Sequence, residues 1–466
     1  MMKTYDDLKK CSYHFVGVGG IGMSAIAQVL KAQGHMVSGS DRNFDKHITT
    51  DVFSKLATQG IAIHLQNGSG INENTDYVIV STAIEEDNPD IKKARALNKA
   101  ILKRAALLAE MFNPRYGIAI GGTNGKTTVS CMVGYILDSA GLSPTIIVGG
   151  CIKNYAHDAF LGNAKAGTSN IISIEADESD GSIIYYTPRV SVITNISKDH
   201  KTIEEVSKMF LVLSQNTKDT LIINADCPYL KKVDFNHKKV LTYGLCNPAA
   251  ALSANNIVYQ PFQSRFAVDG HPFQINLPGS YNVSNALAAI AVARSLHIPD
   301  VTTSVALGQF KGVQRRMDLI GEVNGIKVID DYAHNPEKIM AAITAVKRGC
   351  KRAIAVFQPH GYGPTNFMRE ELINAFVRVL SPEDILFMPE IFYAGGTTRR
   401  NVSSSDIIMR VKESGKNALF VEDRQDIISA VKTCARPGDA ILVMGARDNT
   451  LTEFSHNILH VLQNAN

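Results

Sequence analysis

Short apolar runs alternate along this chain with longer stretches that carry apolar residues at helical spacing. Tyr13-His14-Phe15-Val16, Val37 to Ser40 and Tyr77-Val78-Ile79-Val80 predict strands, with helical stretches through Leu30 and over Arg104 to Phe112. Pro114 follows the second of these and closes the first block. A second block opens with the run Gly117 to Ile120, a glycine loop and the helical segment Val129 to Leu137. Strands are predicted next at Ile171 to Glu175 and Val190 to Asn195. A more β-rich stretch follows at Leu221 to Asn224, Val240 to Tyr243 and Ile257 to Phe262, then a helix over Asn282 to Leu296. After Gly312 the strand–helix rhythm resumes at Ile326 to Ile329, Ala353 to Phe357, Ile385 to Met388, Ala418 to Val421 and Ala440 to Met444. This is the pattern of parallel sheets. It predicts an α/β chain of three domains, over 1–113, 114–313 and 314–466, with ligands in the clefts between them.

Composition narrows the functional classes. A hydrophobic content of 45% and a charged content of 20% are ordinary for a globular protein. A net charge of +4 over 466 residues, with no block of like charges, speaks against a nucleic-acid surface. The polar segment Met1 to Lys10 lacks the apolar centre of a signal peptide, and no apolar run nears the roughly 18 residues of a membrane span. Cysteines at 11, 131, 151, 227, 246, 350 and 434 form no CxxC pair and read as reduced thiols of a cytoplasmic protein.

The candidate chemistry begins with Gly121-Gly122-Thr123-Asn124-Gly125-Lys126-Thr127-Thr128, set between a strand and a helix. Glycines let backbone N–H groups close around phosphate oxygens, a lysine adds a point charge, and a threonine hydroxyl can reach Mg²⁺. Ile120 stands where the full phosphate-loop pattern has its first glycine. Lys126 reads as an exposed loop lysine whose removal would spare the fold. Upstream, Gly17, Gly19 and Gly22 form GxGxxG after a strand, with Asp41 19 residues beyond Gly22. That pattern places a diphosphate at a helix N-terminus and leaves NAD, FAD and a nucleotide-sugar open. A nicotinamide oxidoreductase is the class it usually nominates, but hydride transfer has no use for a second, triphosphate-type loop. Glu175 to Asp180 and Thr194 to His200 each follow an apolar strand, where α/β folds put their sites. Glu175, Thr127 and His200 together can hold Mg²⁺. In the third block, Arg316 can reach a transferred phosphoryl group, and Asp331 can bind ribose hydroxyls.

Taken together, these segments resemble the Mur ligases, ATP-dependent amide-bond enzymes of peptidoglycan precursor synthesis, essentially from end to end. The marks are Gly17 to Gly22 with Ser38 to Asp41, Ser81 to Ile84 with Asn88-Pro89, Lys103-Arg104-Ala105, Gly122 to Thr128, Glu175 to Asp180, Thr194 to His200, Asn282, Asn285, Arg316 and Asp331 to Pro336. Within the family, GVGGIGMS and EADESD resemble the alanine-adding branch and its relative that recycles a murein tripeptide. The resemblance implies a Rossmann-like N-terminal domain for the UDP-sugar, a central phosphate-loop domain for ATP and a Rossmann-like C-terminal domain for the amino acid. By position, Gly17, Gly19, Gly20, Ile21, Gly22, Asp41, Ser81, Thr82, Ala83 and Arg104 would form the sugar site. Gly122, Thr123, Asn124, Gly125, Lys126, Thr127, Thr128, Asn282, Asn285, Arg316 and Asp331 would bind ATP. Thr127, Glu175 and His200 would hold Mg²⁺, and Lys126, Glu175, His200 and Arg316 would be the catalytic set. His334 and His360 would face the amino acid. The implied reaction joins an amino acid, L-alanine first, to the lactyl carboxylate of UDP-N-acetylmuramate.

The chain departs from the alanine-adding pattern at three places. Asn124 stands for a histidine, and Asp331 to Pro336 takes a sister-ligase form. The branch's HRYxRT, whose two arginines grip the amino-acid carboxylate, is His360-Gly361-Tyr362-Gly363-Pro364-Thr365 here. A buried carboxylate needs a cation. Arg369, Arg399, Arg400 and Arg447 are the candidates, and another amino acid or a murein peptide is the alternative acceptor.

Overall fold

The computed structural model describes residues 10–48, 51–82, 84–197, 201–393 and 402–464. Among these no helix is long and apolar enough to cross a membrane. The first sheet has five parallel strands, ordered Ala62–His64, Met36–Ser40, Ser12–Val16, Tyr77–Val80 and Ala100–Lys103. Val16 is aligned with Ser40 on one side and Val80 on the other, so three loops leave the sheet together. The helix Ile21–Ala32 then packs Met23, Ile26 and Leu30 into the core. Beneath the loops lies a buried polar knot. Asp90 accepts from Ser40 Oγ at 2.5 Å and Gly68 N at 2.7 Å, and His14 Nε2 lies 3.7 Å away. Burial alone would raise the Asp90 pKa, but the nearby His14 and the bonds from Ser40 and Gly68 prevail and hold it below the usual carboxylate range.

The second sheet places the strand Tyr116–Gly121 between Val190–Ile193 and Ile171–Glu175, both parallel to it. Outward from these run Thr220–Asn224, Val240–Gly244 and Leu252–Ser253 on one side. Thr145–Ile147 and Ala164–Lys165 lie on the other, the last antiparallel. The helix Lys126–Ser139 is buried on nearly every face, which explains its apolar composition all round. Asn255–Gln260, Gln263–Val268 and His271–Ile275 form a small sheet of their own.

The third sheet runs Asp318–Val323, Ile326–Asp331, Asp439–Gly445, Arg352–Gln358, Ile385–Met388 and Asn417–Phe420. Alternate residues feed two cores. Ala355, Phe357, Leu442 and Met444 pack with the helices Pro336–Lys347 and Arg369–Val379. Ile354, Val356, Ile441 and Val443 pack with Arg424–Cys434 and Leu451–Gln463 on the other face. The sheet is therefore doubly wound, as the alternating pattern predicts. Its antiparallel edge strand, Asp318–Val323, was not predicted: its ladder shifts register between Leu319 and Gly321, which breaks the period-two signal. Gly321 packs against Leu459, whose Cδ2 would have to shift to admit a Cβ there. Strands Ala62–His64 and Ala100–Lys103 also escaped notice, being too short to show a period.

The chain divides into two compact units, 1–255 with 267–273 and 284–311, and 256–266 with 274–283 and 312–466. The minor segments of the second unit are fastened by specific packing. Arg348 lies over the Tyr259 ring at 4.5 Å, and Pro261 crowds Gly349.

Asp90→Asn should destabilise the protein by about 1.5–3 kcal/mol in denaturant titrations at neutral pH. Because the folded-state pKa is depressed, the carboxylate's contribution is present above the unfolded value of about 4 and fades below it. The difference between wild type and variant should therefore shrink as pH falls into that range.

Candidate active site

The central strand ends at Gly121, and the chain must turn sharply before the helix at Lys126. Gly122 has φ +131°, and a Cβ on it would fall 1.9 Å from Thr194 Oγ1. Only glycine fits. Gly125, at φ +86°, caps the helix without a side-chain bond, and a Cβ on it would meet Asn285 Oδ1 at 2.5 Å. The neighbouring strand end grips the loop from outside. Thr194 Oγ1 donates to Asn124 O at 2.6 Å, Asn195 Oδ1 accepts from Asn124 N at 2.8 Å, and Asn124 Nδ2 donates to Ser197 Oγ at 3.0 Å. Thr123 N donates to Asn195 O and its hydroxyl accepts from Ser197 N. The helix N-terminus is left open to an anion.

From the other flank come the carboxylates after Ile171–Glu175. Glu175 Oε1 accepts from Thr127 Oγ1 at 2.9 Å, and Oε2 accepts from Gly149 N at 2.8 Å. Lys126 Nζ donates to Glu178 Oε2 at 2.7 Å and to Gly122 O at 2.7 Å, with Asp177 Oδ1 at 3.9 Å. Burial works against the ammonium, but Glu178, Asp177 and Glu175 outweigh it and hold the Lys126 pKa above the ordinary lysine value. Burial pushes Glu178 up, and Lys126 offsets only part of that. Lys126 is thus not the exposed loop residue expected from the sequence; its side chain keeps only 12% of its surface and sits in an ion pair. Among the described residues no group of three or more His, Cys, Asp or Glu is arranged to hold a metal ion.

The N-terminal glycine loop lies in the same unit. Gly17 N and Val18 N donate to Ser40 O, and Asp41 Oδ2 accepts from Gly19 N at 2.9 Å while its Oδ1 caps Asn43 N. Asp41 therefore holds the loop's shape. The helix starting at Ile21 has no side-chain cap, and the Arg104 guanidinium lies over Gly22 while donating to Asp180 Oδ2 at 2.8 Å. An open helix terminus beside an arginine suits a diphosphate. Ile84 N donates to Ser81 O, a Cβ on Gly17 would stand 3.4 Å from Ile84 Cδ1, and Thr82 is exposed. Asn163 Nδ2 donates to Ile21 O and Ser24 Oγ, and its Oδ1 accepts from Gln28.

In the second unit, Asp331 ends its strand buried, accepting from Met317 N at 2.6 Å and Ala333 N at 2.8 Å. Burial raises its pKa against the pull of Arg316. The Arg316 guanidinium lies 4.8 Å from the Tyr332 ring centre. His334 and His360 come together, with ring centres 5.6 Å apart.

Comparison with known proteins decides the family. Three family models cover most of the chain: Mur ligase family catalytic domain over 12–116, Mur ligase middle domain over 120–293, and Mur ligase glutamate ligase domain over 315–447. The UDP-N-acetylmuramate–L-alanine ligase of Sorangium cellulosum (strain So ce56) is 35% identical, over 93% of both chains. The chain is a Mur ligase. The corresponding enzyme of Nitrosomonas eutropha is 36% identical over 93% of this chain and 94% of its own. The crystal structure of UDP-N-acetylmuramate-alanine ligase MurC from Thermotoga maritima superposes with a TM-score of 0.78 at 26% identity, covering 98% of this chain and all of that one.

This Mur ligase brings together Gly122 to Thr128, Asn285 and Glu175 around one loop, and Gly17 to Gly22, Asp41, Ser81 and Arg104 around another. Asn282, buried, donates to Pro278 O in the second unit. His200, Ala83, Arg399 and Arg400 lie outside the described residues. Sequence reasoning missed Glu178 as the partner of Lys126, and Thr194, Asn195 and Ser197 as the loop's support. Both lay in motifs already singled out, at the ends of the two strands beside the loop. Asn163 carried no signal at all.

Lys126→Ala should lose ATP-dependent turnover and, by stranding buried Glu178, about 3 kcal/mol of stability. Adding Glu178→Gln to that variant should restore most of the stability and none of the activity, as read by denaturant midpoints and phosphate release.

Proposed function

We propose that this Mur ligase is a UDP-N-acetylmuramate–L-alanine ligase, joining L-alanine to the lactyl carboxylate at the expense of ATP. The observation that carries the reading is the phosphate loop, with Lys126 and the Thr127–Glu175 pair at its rim. The identity to enzymes of that name supports it. Domains over 1–113, 114–313 and 314–466 would hold the UDP-sugar, ATP and the amino acid. The reaction belongs to cytoplasmic assembly of peptidoglycan precursors, with UDP-N-acetylmuramate and an amino acid as its small-molecule partners.

A carboxylate and an amine do not condense in water, so the lactyl carboxylate first attacks the γ-phosphorus of ATP, giving an acyl phosphate and ADP. Loop N–H groups and Lys126 bear the charge that spreads over the phosphoryl oxygens. Arg316 and Asp331 engage ATP from the C-terminal domain. The amine of alanine then attacks the acyl carbon, loses a proton, and expels phosphate. Thr127 Oγ1 and Glu175 Oε1 are hard oxygen donors 2.9 Å apart. That donor set fits Mg²⁺, which usually takes one or two carboxylates and completes its shell with water and phosphate. Thr127, Glu175 and His200 would hold it. When bound, Mg²⁺ neutralises charge on the transferring group.

Gly361 and Pro364, where the alanine-adding branch has arginines, favour a second reading in which another amino acid or a murein peptide is the acceptor. With UDP-N-acetylmuramate, ATP, Mg²⁺ and a mixture of amino acids plus the murein tripeptide, mass spectrometry should find the UDP-sugar extended by one alanine residue. Extension by another acceptor with alanine ignored selects the second reading. NADH oxidation without ATP turnover would overturn the ligase activity proposed here.

A further inference from the structure

A carboxylate-bearing acceptor needs a cation, and the arginines of the second unit differ sharply in what they are already doing. Arg315 donates to Gly445 O at 2.7 Å and Asp448 O at 3.1 Å, and pairs with Asp330. Arg424 is bound to Asp448 and to Thr450 Oγ1. Arg369 lies on the helix Arg369–Val379 beside Glu370, 3.6 Å away. Arg315 and Arg424 are held by these bonds, while Arg369 stands half-exposed on its helix beside its chain neighbour.

Arg447 is exposed, and no ion pair or hydrogen bond of its guanidinium is found among the described residues. It follows the strand Asp439–Gly445, whose Met444 is in register with Asp331 on one side and Phe357 on the other. The chains leaving those two neighbours carry Tyr332 with His334, and His360. The helices after them, Pro336–Lys347 and Arg369–Val379, pack on one face of the sheet, while the helix after Arg447, Leu451–Gln463, packs on the other. Such a reversal opens a crevice at the strand ends, where doubly wound folds bind ligands. Arg447 stands at its mouth, its N–H donating to Tyr332 Oη at 3.4 Å. Arg447 has φ +61°, a left-handed conformation that disfavours side chains with a Cβ. The two carbonyl bonds from Arg315 hold the backbone of the loop that bears it.

We infer that Arg447 grips the carboxylate of the acceptor amino acid, in place of the arginines missing at Gly361 and Pro364. The inference rests on the ligase reading above, and the test separates the two. Arg447→Gly removes the guanidinium and suits the left-handed backbone, so the variant should unfold at no lower denaturant concentration than wild type. With the acceptor selected in the screen, L-alanine on the first reading, its KM should rise at least 30-fold, as expected for loss of a charge-assisted pair. The KM values for ATP and UDP-N-acetylmuramate should stay within about twofold. Wild type should prefer L-alanine to L-alaninamide, which lacks the carboxylate charge, and the variant should not. An unchanged acceptor KM, a parallel rise in all three KM values, or a preference for the acid over the amide that survives the substitution would overturn the inference while leaving the ligase reading standing. A wild-type protein that ligates no amine would overturn both.

Discussion

No side chain can stand at position 122, and much of the site follows from that. The loop after the central strand passes so close to Thr194 that a single methyl group would overlap its hydroxyl. Close approach lets Thr194, Asn195 and Ser197 bond the loop's backbone and the Asn124 amide along its outer side. With the loop held there, Lys126 folds back onto Gly122 O and meets Glu178, while Thr127 meets Glu175. A larger residue at 122 would push the loop off its support and disperse this cluster. The glycine is thus a statement about distance as much as about backbone freedom.

The two nucleotide-type loops of the first unit are built alike but stiffened differently. At Gly17 to Gly22 an acidic side chain, Asp41, reaches in to bond the loop, and Asp90 anchors Ser40 from below. At Gly122 to Thr128 neutral hydroxyl and amide groups do the same work. Arg104 joins the two regions, lying over the first helix terminus and bonding Asp180 from the EADESD segment. One motif therefore serves both loops, Glu175 and Glu178 facing the second and Asp180 the first.

What the sequence revealed were features written in consecutive residues. Strands Ile171–Glu175 and Ile385–Met388 were legible to the residue, because apolar runs buried on both faces end abruptly at polar loops. Both glycine loops were legible for the same reason. What stayed hidden were pairings between distant positions: Lys126 with Glu178, Asn124 with Asn195, Arg104 with Asp180. Their separations of 52, 71 and 76 residues carry no periodic trace. The burial of Lys126 was hidden too, since a lysine in a glycine loop looks solvated until its acidic partner is seen.

The interleaving of the two units carries a consequence for any attempt to divide the chain. Residues 256–266 and 274–283 belong with 312–466, so the polypeptide passes from one unit to the other at 255, 266, 273, 283 and 311. No single cut separates them. A fragment beginning after residue 313 would lack Tyr259, Pro261 and Tyr281, leaving Arg348, Gly349 and Ala345 without the groups that cover them. The C-terminal unit completes its surface with chain synthesised well before its own sheet. Its folding must wait on, or recruit, segments that lie in the sequence between stretches of the other unit.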